Sequence, residues 1–198
     1  MGIYNAEVSA GSLMLPESRK IAAFLLTKPD EAAWTRAFSL EENLLQKNKP
    51  ATARRMARLI RNRLEPMDDG TLRLIAEGDK EVATQLLLAC AIRHSRLLGD
   101  FMLDVYRRRL RGLEKALDAK DWESFLDECS HRDPAVATWS PSTKAKIFQV
   151  LVRILTEAGF LDSTRRMGLT PPMLHPAAER HLKKIGAGET LAVMEMAR

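Results

Sequence analysis

The chain has 198 residues, 45% of them hydrophobic, and carries 31 Lys and Arg against 26 Asp and Glu, for a formal charge of +5. That apolar share supports a true core and argues against disorder, while the basic balance suits an anionic partner. The longest strongly apolar run, residues 86–92, is far short of a membrane span, and Arg93, His94 and Arg96 follow it.

Leu and Ala far outnumber Ile and Val, and glycine is scarce, so helices are favoured over sheets. The start of the chain lacks the basic and apolar regions of a signal peptide, which leads to the expectation of a cytoplasmic protein. Residues 1–12 read as an arm docked through Ile3 and Tyr4. Pro16 and Glu17 open a helix with an apolar stripe of Ile21, Phe24 and Leu25. Lys28-Pro29-Asp30 ends it and starts another, in which Trp34 and Phe38, four apart, face the core. Ser39-Leu40-Glu41-Glu42 has the form of a capping box, predicting a short helix through Leu44 and Leu45.

Residues 43–64 then carry Lys47, Lys49, Arg54, Arg55, Arg58, Arg61 and Arg63 with no acid, a local charge of +7. Lys47-Asn48-Lys49 forms a polar turn and Pro50 is suited to the first position of a helix. At 100° per residue, Ala53, Met56, Ala57, Ile60 and Leu64 share one face, and Arg54, Arg55, Arg58, Arg61 and Asn62 the other. Short helix, tight turn and arginine-faced helix outline a helix-turn-helix. Solvated faces usually mix charge signs; this one repels itself unless a polyanion neutralises it. Arg supplies the planar fork that pairs with phosphate or with a guanine edge. Lys47, Lys49, Thr52, Arg54, Arg55, Arg58, Arg61 and Asn62 are therefore the candidate DNA contacts of a first unit.

After the break at residues 65–70, a short helix over residues 71–77 leads to a long helical region, 80–117, with a division expected at Gly99-Asp100. Arg107, Arg108, Arg109 and Arg111 near its end also fit cations placed on a helix C-terminus. Asp118-Ala119-Lys120-Asp121 marks a boundary between two regions, 1–117 and 118–198. In the second, Trp122, Phe125 and Leu126 face inward from a helix, Asp133-Pro134 starts a short helix, and Ser140-Pro141 caps a longer one ending at Gly159. Ser142, Lys146, Gln149 and Arg153 lie opposite its apolar face, forming a second helix-turn-helix candidate. Residues 160–169 fit either a small β-hairpin, a wing with Arg165 and Arg166 at its tip, or a plain loop. A helix over residues 176–185 and an apolar tail close the chain. The fold class expected is all-α, with two helix-turn-helix-like units, the second open to a wing.

The order GSLMLPES, the tryptophan helix, EENLLQKNKPATARRMARLIRNRL, LLLACAIRHSRLLGDF and STKAKIFQVLVRILTEAGFLD resembles the BrxA family of bacteriophage-exclusion (BREX) defence systems, over nearly the whole chain. The resemblance implies a small cytoplasmic all-helical protein that binds double-stranded DNA beside the other BREX proteins. It implies contact by Arg54, Arg55, Arg58 and Arg61 in the first unit and by Ser142, Lys146 and Gln149 in the second.

No phosphate-cradling glycine loop, HExxH or paired CxxC occurs. Cys90 with His94, and Cys129 near His131, lack two further ligands at zinc spacing, so neither a metal nor a cofactor is expected. His175 and His181, among prolines and lysines, read as surface residues. No acids form a recognisable catalytic pair, and the expectation is a protein without enzymatic activity, favoured as a monomer. The candidate functions are a duplex-DNA-binding accessory protein, a helical adaptor whose basic faces meet an acidic protein, and an RNA-binding protein.

Overall fold

The computed structural model describes residues 2–195. Among them the architecture is all-α. A 3-10 turn, Glu7–Ala10, precedes α1 (Leu15–Leu26), α2 (Glu31–Ala37), α3 (Pro50–Leu64), α4 (Asp69–Glu77) and α5 (Lys80–His94). Then come α6 (Arg96–Phe101), α7 (Arg107–Arg111), α8 (Ala119–Arg132), α9 (Pro141–Glu157), α10 (Pro176–Lys184) and α11 (Gly188–Met194).

Helix α5 is the centre. Val82, Ala83 and every residue from Gln85 to Ile92 are buried, so it is apolar on all sides, as a helix enclosed by others must be. Helices α1, α3, α4, α6, α10 and α11 all pack on it. One contiguous core runs from Tyr4 to Met194 and crosses the segment at 118–121.

Helix α9 follows its sequence closely. The Ser140 hydroxyl accepts from the Thr143 amide at 3.1 Å, Pro141 opens the first turn, and Gly159 (φ 81°) ends it. Ile147, Val150, Leu151, Ile154 and Leu155 are buried. Between α8 and α9 lies the short 3-10 helix Pro134–Thr138.

Several expectations are corrected. Residues 39–45 form turns, not a helix. Asn43 (φ 36°) and Gln46 (φ 53°) are left-handed, and the Asn43 amide donates to the Lys47 carbonyl while its oxygen accepts from the Lys47 N–H at 2.9 Å. This side-chain clamp offers the backbone an alternative to helix. The long helical region divides at Ser95, whose hydroxyl accepts from the Leu98 amide, while Gly99 is buried within α6. The helix widens to a π-type turn over Met102–Tyr106 before α7. The arm docks through Tyr4 and Val8; Ile3 stays 47% exposed.

Residues 160–169, open in the sequence to a hairpin or a plain loop, form a tight loop held by one antiparallel bridge, Leu161 to Leu169. Asp162 closes it, accepting from the Gly168 amide at 2.9 Å and pairing with Arg166 at 2.7 Å. A second bridge joins Gly168 to Ala116, just before α8.

Candidate nucleic-acid interface

Helix α3 turns Ala53, Ala57, Ile60 and Leu64 into the core, with Met56 half-buried. Its outer stripe presents Arg54, Arg55, Arg58 and Asn62 to solvent, with Lys49 exposed just before it and Thr52 half-buried. The stripe forms one wall of an open groove of about 710 Å³. Trp34, Thr35 and Phe38 come from the α2 side of that groove.

The +7 stretch is not left uncompensated, and the acids come from other parts of the fold. Lys47 pairs with Glu17 of α1 at 2.6 Å. Arg61 reaches Glu31 of α2 at 2.7 Å and Glu65 at 3.0 Å, and its guanidinium lies 4.6 Å from the Trp34 ring centroid. The hydrogen bond from Arg61 holds the Glu31 carboxyl below its ordinary range. Arg63 points inward, 5% exposed, and donates to the carbonyls of Ser12 at 2.6 Å and Gly11 at 2.9 Å. Burial pulls its pKa down to about 10, which leaves it a cation at neutral pH. Seven cations less these three leaves four, Lys49, Arg54, Arg55 and Arg58, exposed and held by neither an ion pair nor a side-chain hydrogen bond among the described residues.

On α9, Ser142, Lys146, Gln149 and Arg153 are all exposed and fall within about 60° of one another around the helix. Neither Lys146 nor Arg153 has an ion-pair partner among the described residues. At the loop tip, Arg165 and Arg166 are exposed, but Arg166 is held by Asp162. Three of the four arginines of α7 are internally engaged, and exposed Arg111 has no ion-pair partner among the described residues. Arg109 pairs with Asp121 at 2.8 Å and Glu114 at 3.1 Å, Arg108 approaches Glu128 at 4.0 Å, and Arg107 donates to the Ala192 carbonyl.

Sequence reasoning missed the role of Trp34 as the platform under Arg61; no spacing rule links two residues that far apart in the chain. His181 is corrected as well. Its side chain is 11% exposed, with Nε2 2.7 Å from the Thr71 hydroxyl, which donates to Asp68. Both cysteines are buried, and burial raises Cys90 to about 12 and Cys129 to about 11, suppressing the reactive thiolate. Among the described residues no group of three or more His, Cys, Asp or Glu is placed to hold a metal ion, and no helix is long and apolar enough to cross a membrane.

The sequence matches the BrxA family over residues 2–186. It is 41% identical to the BREX protein BrxA of Paramagnetospirillum magneticum over 82% of this chain and 81% of the relative. It is 35% identical to the BREX protein BrxA of Escherichia coli, covering 96% of this chain and 88% of that one. An uncharacterized protein from Magnetospirillum magneticum, known from its crystal structure, superposes with a TM-score of 0.90 at 34% identity, over 98% of this chain and 99% of that one. The chain belongs to the BrxA family of BREX phage-defence proteins.

Proposed function

We propose that this chain is a non-enzymatic accessory protein of a BREX system that binds double-stranded DNA in the cytoplasm, alongside other BREX proteins. Its two DNA-facing units are residues 1–117 and 118–198. The observation that carries this reading is the exposed row Arg54, Arg55 and Arg58 along one edge of the groove, with exposed Lys49 just before the helix, and no carboxylate paired to any of the four. Four unneutralised cations on a rigid helix suit a phosphate backbone. The α9 stripe supplies a second surface of the same kind. Trp34 is already engaged by Phe24, Phe38 and Arg61, which favours duplex over a single strand that needs free rings to stack on.

The test is a mobility-shift titration with duplex, single-strand and RNA competitors over a range of salt. Each phosphate neutralised contributes about 0.9 to the slope of log K against log salt. The α3 cations alone predict a slope of about −3.6; adding Lys146, Arg153 and Arg165 predicts about −6. Binding that stays flat as salt rises overturns the reading. The apolar floor of the groove, with Trp34 and Phe38, favours as a second reading an acidic protein segment. That partner would leave duplex affinity negligible.

A further inference from the structure

Helices α3 and α9 are joined by the N-terminal segment. The turn Glu7–Ala10 packs against both of them, with Val8 fully buried. On the α3 side, the Arg63 fork grips the Gly11 and Ser12 carbonyls, and Gly11 lies so close to Leu59 that a Cβ there would come within 3.1 Å of it. On the α9 side, the Glu157 carboxylate, at the last residue of the helix, accepts from the Leu13 amide at 2.9 Å. Further along the strap, the Asp133 carboxylate between α8 and the 3-10 helix accepts from the Tyr4 amide at 2.9 Å. The Tyr4 hydroxyl donates to Asp100 of α6 at 2.6 Å and receives from Arg132 of α8 at 3.2 Å.

We propose that residues 4–13 are the spacer that fixes the two basic faces relative to one another, with Arg63 and Glu157 as its positioning residues, so that α3 and α9 engage one duplex together. The inference rests on the DNA-binding reading above. Two modules held at a fixed separation gain from the second contact being intramolecular, and the gain vanishes when the connection loosens. The Arg63 fork donates only to backbone carbonyls, and the nearby Glu157 charge favours its cation without forming a direct ion pair, which explains why one cation of a basic helix is turned inward. Its fork spans two successive carbonyls, a geometry that fixes the direction of the strap as well as its position.

The experiment compares the full-length parent with Val8→Ala/Glu157→Ala, Glu157→Ala and Glu157→Gln. The two single variants remove the same charge, but the Gln side-chain carbonyl still accepts from Leu13. The parent is expected to bind duplex with a salt slope near about −6, the value for both faces. The double variant is expected to fall to about −4, the value for α3 alone, and Glu157→Gln to keep the parent slope. Nitroxide labels at Ala51→Cys and Ala145→Cys, exposed positions on α3 and α9, should give one narrow distance distribution in the parent and a broad one in the double variant. Buried Cys90 and Cys129 leave only the introduced thiols to react. Because Glu157 is exposed, Glu157→Ala alone carries both comparisons if the double variant does not fold. A parent slope of about −4, or a loosened variant with the parent's slope and distances, overturns the spacer while leaving the DNA reading intact. A parent that binds no duplex overturns the DNA reading itself.

Discussion

Helices α3 and α7 are both arginine-rich, and they end in opposite electrostatic states. In α7, Arg108 and Arg109 meet acids on α8 and in the following loop, and Arg109 is locked against Asp121 and Glu114. In α3, Glu17, Glu31 and Glu65 neutralise Lys47 and Arg61, at the two ends of the basic stretch, and Arg54, Arg55 and Arg58 between them stay open. Charge density along the chain does not separate the two. What separates them is which acids the fold delivers: in α3 the central row Arg54, Arg55 and Arg58 receives none, while at the centre of α7 Arg108 and Arg109 do. A cation already paired must break that pair before it can hold a phosphate, so the number of arginines overstates the binding capacity of both helices.

The sharpest way to break this comparison is to reverse the charge of the open row on α3 and to remove the locked arginine of α7. Replacing Arg54, Arg55 and Arg58 together by Glu turns three attractions into repulsions. Duplex affinity should fall at least ~100-fold, on the scale of several lost phosphate contacts. All three side chains are exposed, so the unfolding free energy should move by less than ~1 kcal/mol. A titration alongside a urea melt checks both, and parent-like binding by a folded triple variant removes α3 from the interface. Arg109→Ala should do the opposite. Asp121 is 6% exposed and caps the start of α8 by accepting from the Asp118 amide, so it is left buried beside fewer donors. A loss of about 1–3 kcal/mol is expected, with the duplex affinity of the folded fraction unchanged. A melt that does not shift means that Asp121 is satisfied without its arginine.

Much of the helical framework was legible in the sequence because its signals are local. Ser140, Pro141 and Gly159 bound α9, Pro50 opens α3, and the apolar spacing of Ala53, Ala57, Ile60 and Leu64 assigned the buried face of α3 correctly. Local signals also misled where two of them competed. Ser39 and Glu42 suggested a cap, but the Asn43 clamp on Lys47 ended the helix before it began, and Ser95 outcompeted Gly99 as the dividing point. The candidate site was legible only in part, for a different reason. Glu65, four residues from Arg61, is within reach of helical spacing, but Glu31, Glu17 and the carbonyls that hold Arg63 lie 30 to 52 positions away from Arg61, Lys47 and Arg63, and no periodicity carries information over that distance. Helical phase did place Arg63 apart from the Arg54–Arg58–Arg61 stripe, but a count of charges discards phase. The loop after α9 shows the same limit: Leu161 and Leu169 meet within one short segment, yet the partner of Gly168, Ala116, comes from the other side of α8 and α9 in sequence.

The smallest effect expected concerns the boundary between paired and open cations on α3 itself. Glu31 is 77% exposed on its side chain, so its contact with Arg61 is an ordinary surface ion pair made directional by a 2.7 Å hydrogen bond. Glu31→Gln keeps the shape of the groove and removes the charge that holds Arg61 back. If carboxylate competition is what withholds Arg61 from DNA, the variant should bind duplex about two- to threefold more tightly, and its salt slope should steepen by up to about 0.9, one phosphate. Glu65 still grips the same guanidinium at 3.0 Å, so the full step should need Glu31→Gln together with Glu65→Gln. Acidification tests the same pair without mutation. Because Arg61 lowers the Glu31 pKa, the pair is intact above the ordinary glutamate value of about 4.3 and is lost only as pH falls through the lowered one. Duplex affinity should therefore show no gain from this pair between about pH 7 and pH 5. A double Gln variant with the parent's slope would show that the stack on Trp34, and not the two carboxylates, keeps Arg61 out of the interface. The open row would then end at Arg58 for steric rather than electrostatic reasons.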